Sequence, residues 1–204
     1  MRLPVIYILS TLIIQLLACC QRTMGKAELL SYLNDPENKL VLADSVSGFT
    51  YKAYFKPSDL IAAQYLVKRD SSIHIDSLRK AQKGYLYFNL CVSWLGKDLF
   101  SQQIPGTNFN DLQRRVSFGL EQYLKLADDH NHNYKLVDYS YPRLYGMSSS
   151  TNILLVFKND APEVANRYNL TIKNFITGTS DQILFTFHKT DILKAPELNF
   201  DLIL

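Results

Sequence analysis

The densest set of potential ligands in this 204-residue chain is Asp128-Asp129-His130-Asn131-His132, two carboxylates and two imidazoles within five residues. Oxygen and nitrogen donors of this kind suit zinc or nickel, so Asp128, His130 and His132 are the candidate metal ligands. Their spacing argues for something plainer. The histidines are two residues apart, not one helical turn, and no distant third ligand accompanies them. Asp and Asn also favour tight turns, and the expectation is a solvated turn that closes a helix, with no metal and no other cofactor. The carboxylate pairs Asp128/Asp129 and Asp35/Glu37 are close in sequence, whereas acid and base work on sugars needs carboxylates opposed across a cleft. The chain has eight glycines, none of them in a nucleophile elbow or a phosphate-cradling loop. The expectation is a protein that is not an enzyme.

A second concentration is aromatic. Tyr139-Ser-Tyr-Pro-Arg-Leu-Tyr-Gly-Met147 gathers tyrosines around one arginine beside a serine-rich turn, a composition enriched at protein interfaces. Tyr139, Tyr141, Arg143 and Tyr145 are therefore the candidate interaction residues. The alternative is that these tyrosines finish a sheet edge and pack on the core. With 22 basic and 19 acidic side chains the formal charge is +3. A balance so near neutral excludes nucleic acid as the expected partner, since that calls for a basic stripe, and argues equally against a polybasic membrane surface.

Alternation and helical spacing supply the elements that must position these groups. A helix is expected over Ala27 to Leu33, then a strand from Phe49 to Lys56 with Phe49, Tyr51, Ala53 and Phe55 on one face. Pro57-Ser58-Asp59 breaks the strand and starts a second helix carrying Leu60, Ile61, Gln64 and Leu66, and a short third helix lies near Asp76 to Gln82. Tyr85 to Trp94 is the clearest strand, with Leu86, Phe88, Leu90 and Val92 facing the core. Leu112, Val116, Leu120, Tyr123, Leu124 and Ala127 predict the longest helix, Asn110 to Asp128. Strands are expected over 134–141, 153–158, 169–175 and 182–188, a helical turn over 162–167, and an edge strand in the tail from Ala195 to Phe200. The short connections call for antiparallel pairing. Together these give one α+β domain over residues 27–204, an antiparallel sheet of five or six strands with helices mainly on one face.

The N-terminus is different in kind. Arg2 precedes an apolar run from Val5 to Leu17, broken only by Ser10, Thr11 and Gln15 and followed by Ala18-Cys19-Cys20. The run is short for a membrane span, which takes roughly 20 apolar residues, and has the layout of an export signal. Leu16-Leu17-Ala18-Cys19 resembles the lipobox of bacterial lipoproteins, which implies a signal peptide over residues 1–18, diacylglycerol and palmitate on Cys19, and a lipidated tether over 19–26. Loss of residues 1–18 removes one arginine and leaves 21 basic against 19 acidic groups. Of the remaining cysteines, Cys91 sits in an apolar strand and reads as a small buried hydrophobe.

Leu33-Asn34-Asp35-Pro36-Glu37-Asn38-Lys39-Leu40, with the strand Phe49 to Pro57 that follows, is similar to the opening of uncharacterised Bacteroidetes lipoproteins. That resemblance, with no aspartate after Cys19, implies an outer-membrane address facing the periplasm. The expected role is a non-catalytic component of an envelope assembly, bound to the membrane through its lipid and to a protein partner through its domain. The alternatives are a lipoprotein that binds a small ligand or glycan and, behind it, a hydrolase.

Overall fold

A computed structural model describes residues 23–68, 75–143, 147–160 and 165–203. Residues 1–22 with Cys19, residues 162–164 of the helical turn expected over 162–167, and Tyr145 lie outside them. The fold is α+β, with two antiparallel sheets packed face to face and helices mainly on the side of the larger sheet.

The larger sheet has the order β2-β3-β4-β8-β7, with β2 Val41–Val46, β3 Phe49–Lys56, β4 Tyr85–Trp94, β7 Leu136–Ser140 and β8 Thr151–Lys158. β3 and β4 run over the bounds that alternation predicts, because one face of each is apolar and buries completely: Ala53, Phe88, Leu90 and Val92 are all solvent-free. β2 is a strand that the sequence reading missed. None of its side chains is fully buried: Ala43, Asp44 and Ser45 are exposed, and Leu42 and Val46 pack only partly against the core. The signal was the Ser47-Gly48 pair, whose positive φ angles of 53° and 81° make the two-residue hairpin turn that matches strand twist.

The smaller sheet has the order β10-β9-β5-β6, with β5 Leu124–Asp128, β6 Asn133–Tyr134, β9 Arg167–Lys173 and β10 Gln182–His188. Here two expectations are corrected. The helix predicted over 110–128 is α4 Phe109–Phe118, a 3-10 turn Leu120–Gln122, and then strand β5 (α1 to α3 are given below). Gly119 ends the helix, and Leu124 and Leu126 alternate with Lys125 and Ala127 against β9. The strand expected over 134–141 is two strands in different sheets. At Lys135, whose carbonyl accepts from the Lys158 amide, the chain crosses from one sheet to the other. The inner faces meet at Phe88, which has no exposed surface and touches the rings of Phe55, Phe157 and Phe187 at centroid distances of 5.8, 6.1 and 5.1 Å.

α1 Lys26–Asn34, α2 Ser58–Lys68 and α3 Ile75–Lys83 come from the first half of the chain. α2 buries Leu60, Ile61, Ala62 and Ala63, while Gln64, expected on the packed face, is exposed. The Tyr87 hydroxyl on the outer side of β4 donates to Gln82 of α3 at 2.5 Å. A short α5 Lys189–Leu193 leads to β11 Glu197–Leu198, which pairs in parallel with β1 Thr23–Met24. The last four residues assigned to the tether are thus part of the domain, since β1 is paired and Gly25 and Lys26 open α1.

One carboxylate ties this assembly. Asp59, 8 % exposed, accepts from Arg79 Nε at 3.1 Å and Nη2 at 2.7 Å, and from the Leu198 amide at 3.2 Å. Arg79 also donates to the Leu198 carbonyl at 3.2 Å and lies 4.7 Å from the Phe200 ring centre. Removing one partner of a buried, hydrogen-bonded pair leaves the other desolvated and unpaired. Arg79→Ala is expected to lower stability by about 3 kcal/mol, read as an earlier urea midpoint with an unchanged slope. A midpoint equal to that of the parent protein would contradict this role.

Candidate functional site

The strands of both sheets end at the same two poles. Lys56 at the end of β3 pairs with Tyr87 near the start of β4, so Asp59 and the β1–β11 pair sit at one pole and the loop after Trp94 sits at the other. Ten residues of β4 separate the poles by about 30 Å at the rise of a strand.

The pole beyond Trp94 carries an aromatic cleft of about 180 Å³. Phe100 stacks on Tyr141 at 5.9 Å with the planes 22° apart, and Phe109 meets Phe100 edge-on at 5.9 Å. Asp98 holds the loop in place, its carboxylate buried and accepting from the Phe100 amide at 2.8 Å and the Thr151 hydroxyl at 2.9 Å. The Asn108 side chain caps α4 through the Asn110 and Asp111 amides, which sets Phe109 at the helix start with 52 % of its surface exposed. Ser117, further along α4, shares a 2.9 Å hydrogen bond with the Tyr141 hydroxyl.

Arg143 rims the cleft. It is exposed, its guanidinium lies 5.9 Å from the Tyr141 ring centre, and its Nε donates to the Tyr141 hydroxyl at 3.3 Å. Among the described residues no carboxylate pairs with it. A second, wider cleft of about 480 Å³ shares Phe100 and Phe109 and is lined by Ile104 and Leu112 beside Gln102, Gln103 and Asn108. Both recesses set polar side chains beside apolar ones, with Arg143 at the rim of the first.

Of the four candidate interaction residues, Tyr141 and Arg143 belong to this cleft. Tyr139 does not: it lies on β7 opposite Leu155 and packs on the core. Phe100 and Phe109 were missed. Phe100 falls in the loop between β4 and α4 and Phe109 opens α4, and neither takes part in a period that distinguishes it.

The proposed metal ligands do not converge, and the turn they form closes the β5–β6 hairpin rather than a helix. Asp128 is buried, and its oxygens accept from the His130 and His132 amides, both at 2.9 Å, and from the Tyr134 hydroxyl at 3.2 Å. His132 Nε2 lies 3.2 Å from Asp160. Among the described residues no group of three His, Cys, Asp or Glu side chains is placed to hold a metal ion. The Asp35 carboxylate accepts from the Glu37 amide and caps a 3-10 turn. A Ser-x-x-Lys spacing at Ser77 and Lys80 is exposed on α3. Comparison with protein families, characterised proteins and solved structures gave no match for this chain.

Asp129 latches the same turn to the start of β9. It accepts from the Asn166 amide at 2.9 Å and from Asn166 Nδ2 at 3.0 Å, and these bonds draw its pKa down to about 2. A depressed carboxylate stabilises the fold above its unfolded value, near 3.9, and that contribution fades as pH falls through the folded value. The parent protein should therefore exceed Asp129→Ala in thermal midpoint at pH 5, with the gap closing between about pH 4 and pH 2. A gap of constant size across that window would show that the carboxylate charge is irrelevant.

Proposed function

We propose that this chain is a lipoprotein held in the outer membrane through Cys19, facing the periplasm, and serving as a non-catalytic docking component of an envelope assembly. The cleft of Phe100, Phe109 and Tyr141 is its contact surface. The observation that carries this reading is the exposed aromatic ridge at the pole opposite the β1–β11 pair. Three residues lie between Cys19 and Thr23, a span of four steps that reaches at most about 14 Å when extended. Anchored in this way, the domain holds its β1 pole to the membrane and presents the aromatic pole roughly 30 Å further out.

Size and charge describe the partner. Pockets for drug-sized ligands usually exceed about 300 Å³, and the cleft, at about 180 Å³, matches one large side chain. Aromatic and arginine groups around such a recess are the usual anchors of protein interfaces. Arg143 at its rim, which has no carboxylate partner among the described residues, favours a carboxylate beside the anchor. The partner is thus a protein segment that inserts an aromatic or long aliphatic side chain next to an acidic one. Diacylglycerol supplies the membrane hold, each buried methylene adding about 0.8 kcal/mol.

The test is affinity isolation from native outer membranes. A stoichiometric partner is expected with the parent chain, about tenfold or more depleted for Phe109→Ala and Arg143→Ala. Cys19→Ala should leave the protein unanchored. Equal recovery with both cleft variants would refute the docking surface, and membrane retention of Cys19→Ala would refute the anchor.

A further inference from the structure

A separate cavity of about 340 Å³ opens on the outer face of the larger sheet, between that sheet and the helices α1 and α2. Its two sides differ in chemistry. Leu30 and Leu33 of α1 and Leu60 of α2 make one side apolar, and Leu30 keeps 40 % of its surface exposed there.

The sheet side is polar because register brings outward-facing side chains together. Tyr54 lies opposite Asn89, and Cys91 opposite Asn152. Two of these groups satisfy each other: the Cys91 thiol donates to Asn152 Oδ1 at 2.7 Å, and Asn89 Nδ2 donates to the thiol at 3.4 Å. Lys56, two residues from Tyr54 on the same face, is half-buried and has no ion-pair partner among the described residues. Burial and then the charge of Lys26 both disfavour its protonated form. Among the described residues no carboxylate lines the cavity. A partly desolvated ammonium beside a second cation lacks its compensating anion, and the described residues place no carboxylate in an ion pair with it.

We propose that this cavity binds a small amphipathic carboxylate, its anionic head at Lys56 and the Tyr54 hydroxyl and its hydrocarbon body against Leu30, Leu33 and Leu60. At about 30 Å³ for each water-sized group, the space holds on the order of ten non-hydrogen atoms, the size of octanoate. The site is independent of the aromatic cleft and of the docking role.

Cys91 reports on occupancy from inside the cavity. Burial first of all pushes its thiol up to about 11, so alkylation by iodoacetamide at pH 8.5 is slow enough to sample by mass spectrometry. In the full lipidated chain carrying Cys20→Ser, octanoate is expected to slow Cys91 alkylation saturably. Octanol, which lacks the charge, and acetate, which lacks the body, should require about tenfold higher concentrations or more. Lys56→Met should raise the half-protecting octanoate concentration by a similar factor, and Lys56→Arg should restore it, with circular dichroism of both variants matching the parent. Equal protection by octanol and octanoate, an unchanged response of Lys56→Met, or no saturable protection would each overturn the proposal.

Discussion

The Asp59 carboxylate is the group on which the polarity of the molecule depends. A charge taken this far from water is tolerated only when it is paired and its lone pairs are filled. Arg79 and the Leu198 amide fill them. The consequence reaches beyond local stability. Arg79 brings α3 onto the start of α2, the Leu198 bond sets β11, and β11 is the strand that β1 pairs with. The Asn199 amide adds a bond to the Met24 carbonyl at 2.8 Å. The entry of the chain into the domain is thereby fixed at one pole, in register, with no disulfide among the described residues to do it.

The opposite pole is built by different means. Ser47 and Thr179 both donate to Asp181, which ties the β2–β3 turn to the loop before β10. Arg115 reaches from α4 to the Phe175 and Ile176 carbonyls at 3.1 and 2.9 Å. These bonds fix neighbouring loops at that pole, while Phe109 of the aromatic cleft remains at the surface. The contrast between a sealed pole and an open aromatic one gives the docking proposal its direction.

How much of this was legible in the sequence depended on whether a residue's period matched its burial. β3, β4 and β10 alternate cleanly and were read to their ends. Leu112 to Ala127 fits helical spacing, yet Leu124 and Leu126 also satisfy strand alternation, and the pairing with β9 decides between the two. β2 escapes alternation because only Leu42 and Val46 of this edge strand pack against the core, with Asp44 between them. Tyr141 and Arg143 could be picked out by composition, since they cluster within three residues. Phe100 and Phe109 could not, because their place beside Tyr141 follows from the Asp98–Thr151 bond and the β4–β8–β7 order. The Lys56 cavity was equally hidden. Alternation gives the outward direction of Tyr54, Lys56 and Cys91, but only α1 and α2 closing over them make a space.

Photo-crosslinking in native membranes tests the central claim most directly, with a photoreactive residue placed at Gln113 in the aromatic cleft or at Asn131, exposed in the turn of the opposite pole. The account predicts a discrete protein adduct from position 113 and none from position 131. An adduct from position 131 alone, or the same adduct from both positions, would contradict a partner docked on the aromatic pole.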